Sequence, residues 1–234
     1  MAIVLVGGGP DTTRSLSCLA PFVAACRRRG AARVGLLLAG DRASAEHFAP
    51  EYRALLPGLS VEVVPLADGV GDVTRLDAVV VGGGPTPVYH DALRDVLPVL
   101  RGMVAAGVPY LGFSAGAMVA AELALVGGYR AGGAEVCPVG WSEGLDELTL
   151  RPGIGLVPWT VEVHAAQAGT LGRAVAAVAG GGALSVVALD EDTALHIDDD
   201  GARHVLGSGR AWWVTSDDAG GARVDATSPA VART

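Results

Sequence analysis

The amino-acid sequence predicts an α/β fold in which a doubly wound, mostly parallel sheet carries helices on both faces. Short apolar runs alternate with longer amphipathic runs through the first half of the chain. The short runs are apolar throughout, which is typical of parallel strands covered on both sides. Two glycine triplets, residues 7–9 and 82–84, directly follow two of these runs. Their turns should therefore lie at the carboxyl edge of the sheet, where open α/β folds bind ligands.

The first half of the chain divides into strands and helices in turn. Strands are predicted at residues 3–6, 33–38, 61–64, 78–81 and 110–113. Helices are predicted at residues 15–29, 44–56, 88–106 and 115–125.

The second half is less regular. Between residues 127 and 155 the pattern weakens into a glycine-rich loop excursion with room for short strands. We interpret it as an insertion, so residues 1–234 are expected to form a single domain. A helix at 169–179 follows, and then short strands at 184–189, 194–197, 204–206 and 212–215. The last dozen residues are small and polar, and they are expected to fray.

The composition excludes several classes of function. Of the 234 residues, 50% are hydrophobic but only 5% are aromatic, which predicts a core of Val, Leu and Ala. The chain contains neither lysine nor asparagine, so a P-loop lysine, a Schiff-base lysine and a serine–lysine dyad are all ruled out. The formal net charge of −8 argues against nucleic acid and against an anionic membrane as partners.

Cysteine spacing and hydropathy favour a cytoplasmic protein that uses no metal or cofactor. The cysteines, Cys18, Cys26 and Cys137, show no metal-ligand spacing. The apolar segment at 2–6 is too short for a signal peptide. No apolar run reaches the roughly 20 residues that span a bilayer.

The segment Gly-Phe-Ser-Ala-Gly at residues 112–116 has the context of a nucleophile elbow. An apolar run leads into it and a helix-forming run leads out, so Ser114 falls on a strand-to-helix turn. The flanking glycines tolerate strained backbone angles and close approach. The N–H of Ala115, at a helix N-terminus, would point to where an oxyanion forms. The alternative interpretation is an ordinary turn with an N-cap serine.

A nucleophilic serine needs a base, and histidine is the usual one. His164 ends an extended segment just before the predicted helix at 169–179, where its side chain can reach the sheet edge that carries Ser114. A structural histidine is the alternative. The other histidines are His47 and His90, interpreted as surface residues of helices, and His196 and His204, in the late strands.

The base in turn needs a carboxylate that fixes its tautomer. Glu162 lies two residues from His164 on the same face of a strand, which is a crowded geometry. The acids at 190–192 directly follow an apolar run, and a carboxylate at a strand's carboxyl end faces the site. We favour Glu191 among them. We interpret the other two acids, Asp190 and Asp192, as solvated residues of a turn.

Several of these motifs occur together, in one order, in a known family. They are the Gly-Phe-Ser-Ala-Gly-Ala elbow, the preceding Val-Gly-Gly-Gly turn, the histidine followed by Leu-Gly-Arg at 171–173, and Asp-Glu-Asp-Thr-Ala-Leu at 190–195. In these features the chain resembles the dipeptidase E and cyanophycinase family of serine peptidases. The resemblance covers roughly residues 3–214 and implies a class I glutamine amidotransferase-like fold.

The resemblance also implies roles for individual residues. Ser114 would be the nucleophile and His164 the general base, with backbone N–H groups of Gly84 and Ala115 as the oxyanion hole. Members of the family differ in the origin of the triad acid, which comes either soon after the elbow or from the Asp-Glu-Asp-Thr segment. Because that segment is intact here, Glu191 is favoured. Glu135 is the reserve.

Two departures from the family pattern bear on substrate and mechanism. Cyanophycin-cleaving members carry Asp-Gln-His-Phe around the histidine and several arginines after it. This chain has Glu-Val-His-Ala at 162–165 and only Arg173 in the following helix, so cyanophycin is a poor candidate substrate. Pro85 follows the glycine turn at a position where a residue with an N–H is common, which narrows the choice of oxyanion donor.

Sequence and resemblance together predict a serine peptidase that hydrolyses small peptides through an acyl-enzyme. For specificity, two hypotheses stay open. One is cleavage at acidic (aspartyl) residues, with a bidentate contact to the substrate carboxylate from Arg14, Arg130 or Arg173. The other is selection of hydrophobic peptides by an apolar lid, residues 130–159, that contains Trp141 and Trp159. A homodimer is left open as an assembly state.

Two rival functions remain. An esterase of the α/β-hydrolase type would share the elbow, but its acid precedes the histidine in sequence, whereas here the best acid follows it. A catalytically idle amidotransferase-like module that binds a small ligand or a protein would not need Ser114, His164 and Glu191 together. The altered residues around His164 keep that second rival open.

Overall fold

The first half of the chain alternates strands and helices, as predicted. The computed structural model describes residues 2–9, 16–217 and 220–230. The elements in order are β1 (Ile3–Val6), α1 (Leu16–Arg29), β2 (Val34–Leu38), α2 (Arg42–Leu55), β3 (Val61–Pro65), β4 (Ala78–Val81), α3 (Thr86–Leu93), α4 (Leu97–Ala105), β5 (Tyr110–Phe113) and α5 (Ala115–Val119).

Short strands dominate the second half. They are β6 (Leu123–Gly127), β7 (Arg130–Ala131), β8 (Ala134–Glu135), β9 (Thr149–Pro152) and β10 (Thr160–Glu162), followed by α6 (Leu171–Ala179) and then β11 (Ser185–Leu189), β12 (Thr193–Ile197), β13 (Arg203–Gly207), β14 (Ala211–Ser216) and β15 (Ala222–Thr227).

The largest sheet in the described part of the chain has the strand order β13-β12-β1-β5-β4-β2-β3. From β1 to β3 the strands are parallel, and β12 and β13 add an antiparallel edge. A second sheet, β10-β11-β14-β15, holds the later strands. The predicted α/β class with a mostly parallel sheet is confirmed, and the division of the later strands between two sheets was not predicted.

The core consists of two apolar layers on the two faces of the main sheet. Along β4, Val79 and Val81 face one layer with α3, α4 and α5, while Ala78 and Val80 face the other with α1 and α2. Burial on both faces explains why these strands read as unbroken apolar runs. The second sheet and α6 pack into the first of the two layers.

Two of the predicted helices are shorter than expected. The run predicted at 115–125 stops at Val119, and Leu123–Gly127 forms β6 instead, because it pairs with β9. Strand pairing there overrides the helix propensity of Ala and Leu. The helix predicted at 88–106 is interrupted after Leu93 by a 3₁₀ turn. Pro98 lacks an N–H and its ring would clash with the carbonyl four residues earlier, which separates α3 from α4.

The predicted excursion contains short strands, for which the sequence left room, and part of the predicted tail is more ordered than expected. Within residues 127–155, β7 and β8 form a hairpin and β9 returns to pair with β6. The prediction of a frayed tail is wrong for β15, which pairs along its length with β14. Residues 231–234 lie outside the described part. No helix in that part is both long enough and apolar enough to cross a membrane.

Candidate active site

Ser114 occupies the sharp turn between β5 and α5. Its backbone is strained, with φ 51° and ψ −109°, a conformation that non-glycine residues rarely adopt. Glycines on both sides are required by space: a Cβ on Gly112 would overlap the Gly116 carbonyl, and a Cβ on Gly116 would overlap the carbonyl of Val81. The turn therefore holds the serine hydroxyl above the carboxyl end of the central strand.

His164 meets Ser114 from the second sheet. It follows β10 with φ 57°, and its N–H donates to the Gly7 carbonyl at 3.0 Å, which ties the turn after β10 to the end of β1. Its Nε2 lies 2.9 Å from Ser114 Oγ. A Cβ on Gly8 would overlap the imidazole ring, so the first glycine triplet serves the close approach of backbone and histidine.

Glu191 completes a hydrogen-bonded chain of three side chains. Its Oε1 lies 2.7 Å from His164 Nδ1, and its own N–H donates to Gln167 Oε1. Both side chains are mostly buried, with 13% of His164 and 19% of Glu191 exposed. A neutral imidazole that carries its proton on Nδ1 satisfies both bonds, since Nε2 can then accept from the serine hydroxyl.

Neither Asp190 nor Glu135 is hydrogen-bonded to His164 in the described part of the chain. Asp190 is buried and accepts hydrogen bonds from the backbone N–H groups of residues 166 and 210 and from the indole of Trp212. Glu135, the reserve candidate, is exposed in the β7–β8 hairpin. Of the two candidate acids, Glu191 is the one hydrogen-bonded to His164.

The remaining histidines lie away from Ser114. His196 and His204 stack on each other across β12 and β13, with ring centroids 5.5 Å apart. His90 was predicted to be a surface residue, and that prediction is wrong: it is 4% exposed, and its Nε2 bonds the Pro152 carbonyl at 2.9 Å. Packing of α3 against the β9 region buries this histidine.

The two predicted oxyanion donors lie on neighbouring turns. Gly84 lines the same cleft as Ser114, and Ala115 is the first residue of α5. Within the described residues, no protein group accepts a hydrogen bond from either N–H. The turn that carries Gly84 is held on both sides, because the N–H of Gly83 donates to Tyr52 Oη and the carbonyl of Gly83 accepts from Tyr89 Oη.

A cleft of about 740 Å³ opens over these residues. One wall comes from the sheet edge, and the opposite wall comes from the turn at 140–144 in the excursion. The indole of Trp141 packs against the imidazole of His164, with ring centroids 4.8 Å apart and planes tilted by 39°. Trp159, the other tryptophan of the predicted lid, instead packs edge-on against Trp213.

The comparison with protein families decides which group these features belong to. The family model of peptidase family S51 matches residues 3–205, most of the chain. The chain belongs to peptidase family S51. This confirms the resemblance to the dipeptidase E and cyanophycinase family, and with it the prediction of a serine peptidase.

A solved structure agrees with the fold of this S51 peptidase. It is a protein from Listeria monocytogenes EGD-e that carries the provisional name peptidase E, at a TM-score of 0.61 and 17% identity. The match covers 88% of this chain and 98% of the other. At that identity the likeness establishes the shared fold. Among curated proteins, none matches the chain significantly.

Neither of the two described arginines that were predicted to bind substrate, Arg130 and Arg173, lines the cleft of this S51 peptidase. Arg173 is 2% exposed, and all three nitrogens of its guanidinium hydrogen-bond to protein partners, so its assignment as a substrate ligand is wrong. Arg130 is half-buried and donates to the Gly133 carbonyl. Arg14 lies outside the described residues. Among the residues that are described, no arginine lines the cleft.

Arg173 instead joins α6 to the excursion. Its guanidinium forms a bidentate pair with the fully buried Glu162, at 2.6 and 2.9 Å. Its Nη1 also donates to the carbonyls of Trp141 and Gly128, at 2.7 and 3.1 Å. Burial works against the charged guanidinium, but the Glu162 carboxylate outweighs it and raises the pKa of Arg173. The pair therefore positions the tryptophan that covers His164.

Glu143 is the cleft residue that sequence reasoning missed. It lies beside Trp141 on the turn of the excursion and lines the cleft with Ser114. The segment Trp-Ser-Glu-Gly at 141–144 offers no local signal, since its place opposite the catalytic turn depends on contacts between distant parts of the chain.

Proposed function

We propose that this S51 peptidase cleaves short peptides with Ser114 as the nucleophile. Ser114 Oγ attacks the scissile carbonyl carbon while His164 Nε2 takes the hydroxyl proton. Glu191 holds the imidazole in the required tautomer and stabilises the imidazolium. The same proton then passes to the leaving amine as the C–N bond breaks. A water molecule, deprotonated by His164, hydrolyses the resulting acyl-enzyme.

The observation that carries this proposal is the chain of two hydrogen bonds through His164. Distances of 2.9 Å to Ser114 Oγ and 2.7 Å to Glu191 Oε1 lie within the range that proton transfer needs. The strained serine backbone adds support, because such conformations are concentrated at functional sites.

The backbone N–H groups of Gly84 and Ala115 are proposed to bind the developing oxyanion. Both belong to turns at the carboxyl edge of the sheet, and Ala115 adds the positive end of a helix, though α5 is short. Loss of one such donor typically costs about 10²- to 10³-fold in kcat. Because both donors are backbone groups, side-chain substitution cannot remove them directly.

The preference for acidic residues stays a prediction. Of the arginines proposed to bind the substrate carboxylate, Arg173 is buried and Arg130 does not line the cleft, while Arg14 lies outside the described residues. Trp141 gives the cleft an apolar wall, which favours the rival preference for hydrophobic residues. Comparing Asp-Leu with Leu-Leu and Ala-Leu as substrates decides between them. Faster cleavage of Leu-Leu than of Asp-Leu would rule out the acidic preference.

The test of the mechanism is labelling with a fluorophosphonate, which reacts with activated serines. The wild-type protein should be modified at Ser114 and should release leucine from dipeptides, whereas Ser114→Ala should do neither. Ser142→Ala is the matched control, since Ser142 lines the same cleft and should leave the label at Ser114. A folded wild-type protein that resists the label would instead support the idle-module rival, and hydrolysis of esters but not of peptides would support the esterase.

A further inference from the structure

The substrate cleft carries a carboxylate that the catalytic chain does not use. Glu143 and Glu191 both line the cleft, and among the described residues no arginine lines it. Glu191 is engaged with His164 at 2.7 Å. Glu143 is therefore the charged side chain that is available to a bound peptide.

One oxygen of Glu143 is anchored and the other is free. Oε2 accepts a hydrogen bond of 3.0 Å from the N–H of Thr86, at the start of α3. No described residue donates to Oε1, and none forms an ion pair with this carboxylate. The anchor fixes the orientation of the carboxylate, so Oε1 is left as an acceptor.

The backbone holds Glu143 at an energetic cost. Its φ of 58° lies in the left-handed region, which non-glycine residues rarely adopt. Gly127 makes room for it, because a Cβ there would lie 2.7 Å from the Cβ of Glu143. The adjoining residue, Ser142, is fixed through its carbonyl by the N–H of Gly128 at 2.9 Å. A glutamate in such a strained and braced position is typical of a functional site.

The charges close to Glu143 are those of Arg173 and Glu162. Burial raises the pKa of Glu143, while the Thr86 N–H and the charge of Arg173 act in the opposite direction. Arg173 is already matched by the bidentate contact to Glu162. The charge of Arg173 is thus largely compensated by Glu162, and a cation from the substrate would stabilise the ionised form of the half-buried Glu143.

We propose that Glu143 binds a cationic nitrogen of the peptide substrate. Its Oε1 accepts a charge-assisted hydrogen bond from an ammonium group, supplied by the free amino terminus or by a lysine side chain. This assignment rests on the proposed function, since it places the ammonium in the cleft whose serine is acylated. It makes Glu143 a specificity-determining residue.

The experiment measures how well dipeptides protect Ser114 from the fluorophosphonate. Ala-Leu has a free amino terminus, N-acetyl-Ala-Leu has no cation, and N-acetyl-Lys-Leu has its cation on the side chain. We expect one of the cationic peptides to protect at a concentration roughly 10- to 100-fold lower than the neutral peptide. The peptide that protects identifies the source of the ammonium.

Glu143→Gln should abolish that preference, because glutamine keeps the acceptor for the Thr86 N–H and loses only the charge. Glu147→Gln, an exposed acid of the same excursion, is the matched control and should keep the preference. Equal protection by all three peptides, or a preference that survives in Glu143→Gln, would overturn the inference. Failure of the wild-type protein to be labelled at all would instead overturn the proposed function.

Discussion

Removing Arg173 while keeping Glu162 should severely destabilise the protein. In Arg173→Met the Glu162 carboxylate, whose side chain is 0% exposed, loses both bonds of its bidentate partner. Breaking a buried pair from one side typically costs about 3–5 kcal/mol, because an uncompensated charge stays buried. The carbonyls of Trp141 and Gly128 lose a donor as well. For a chain of this size, that loss corresponds to a fall in Tm of about 6–20 °C.

Urea denaturation followed by circular dichroism measures this loss. Arg42→Met is the control, since 64% of that side chain is exposed and its ion pair with Glu46, at 3.8 Å, is a surface contact. It should change the free energy of unfolding by about 0.5 kcal/mol or less. In the double variant Glu162→Gln/Arg173→Met the buried charge is gone, and part of the lost stability should return. If Arg173→Met unfolds within about 1 kcal/mol of the wild type, the reasoning is refuted.

Three further predictions concern the site and the interior. Glu191→Gln should lower kcat/KM by about 10²- to 10⁴-fold in a folded protein, because the amide no longer supports the required tautomer. Glu135→Gln should retain activity. The reverse result would identify Glu135 as the acid that hydrogen-bonds to His164. Gly8→Ala should reduce kcat and the thermal stability together, since the new methyl group overlaps the ring of His164, and unchanged kinetics would show that the ring is not held there. Burial raises the pKa of Cys26 to about 12, so iodoacetamide at pH 8 should leave this thiol unmodified in the folded protein and modify it in urea, as read by mass spectrometry.

Most of the catalytic geometry could be predicted because each signal is local. The elbow needs glycine two residues before and two residues after Ser114, and the structure explains why: a Cβ on either glycine would overlap a backbone carbonyl. His164 and Glu191 each follow a strand end, so strand assignment alone directed them to the same edge. The prediction failed for Arg173, whose place among protein partners depends on a glutamate, a tryptophan and a glycine from other elements.

The sequence by itself determined the positions of the parallel strands, the strand-to-helix turn and the order of serine, histidine and acid. Those features follow from apolar runs and from residues close together in sequence, because their conformational preferences act over only a few positions. Tertiary structure decided where α5 stops, that β15 extends the second sheet, and that Glu143 faces the cleft. Each of these depends on pairing between segments that are distant in sequence. The energy of such contacts is absent from any local window, because it arises only when the chain is folded.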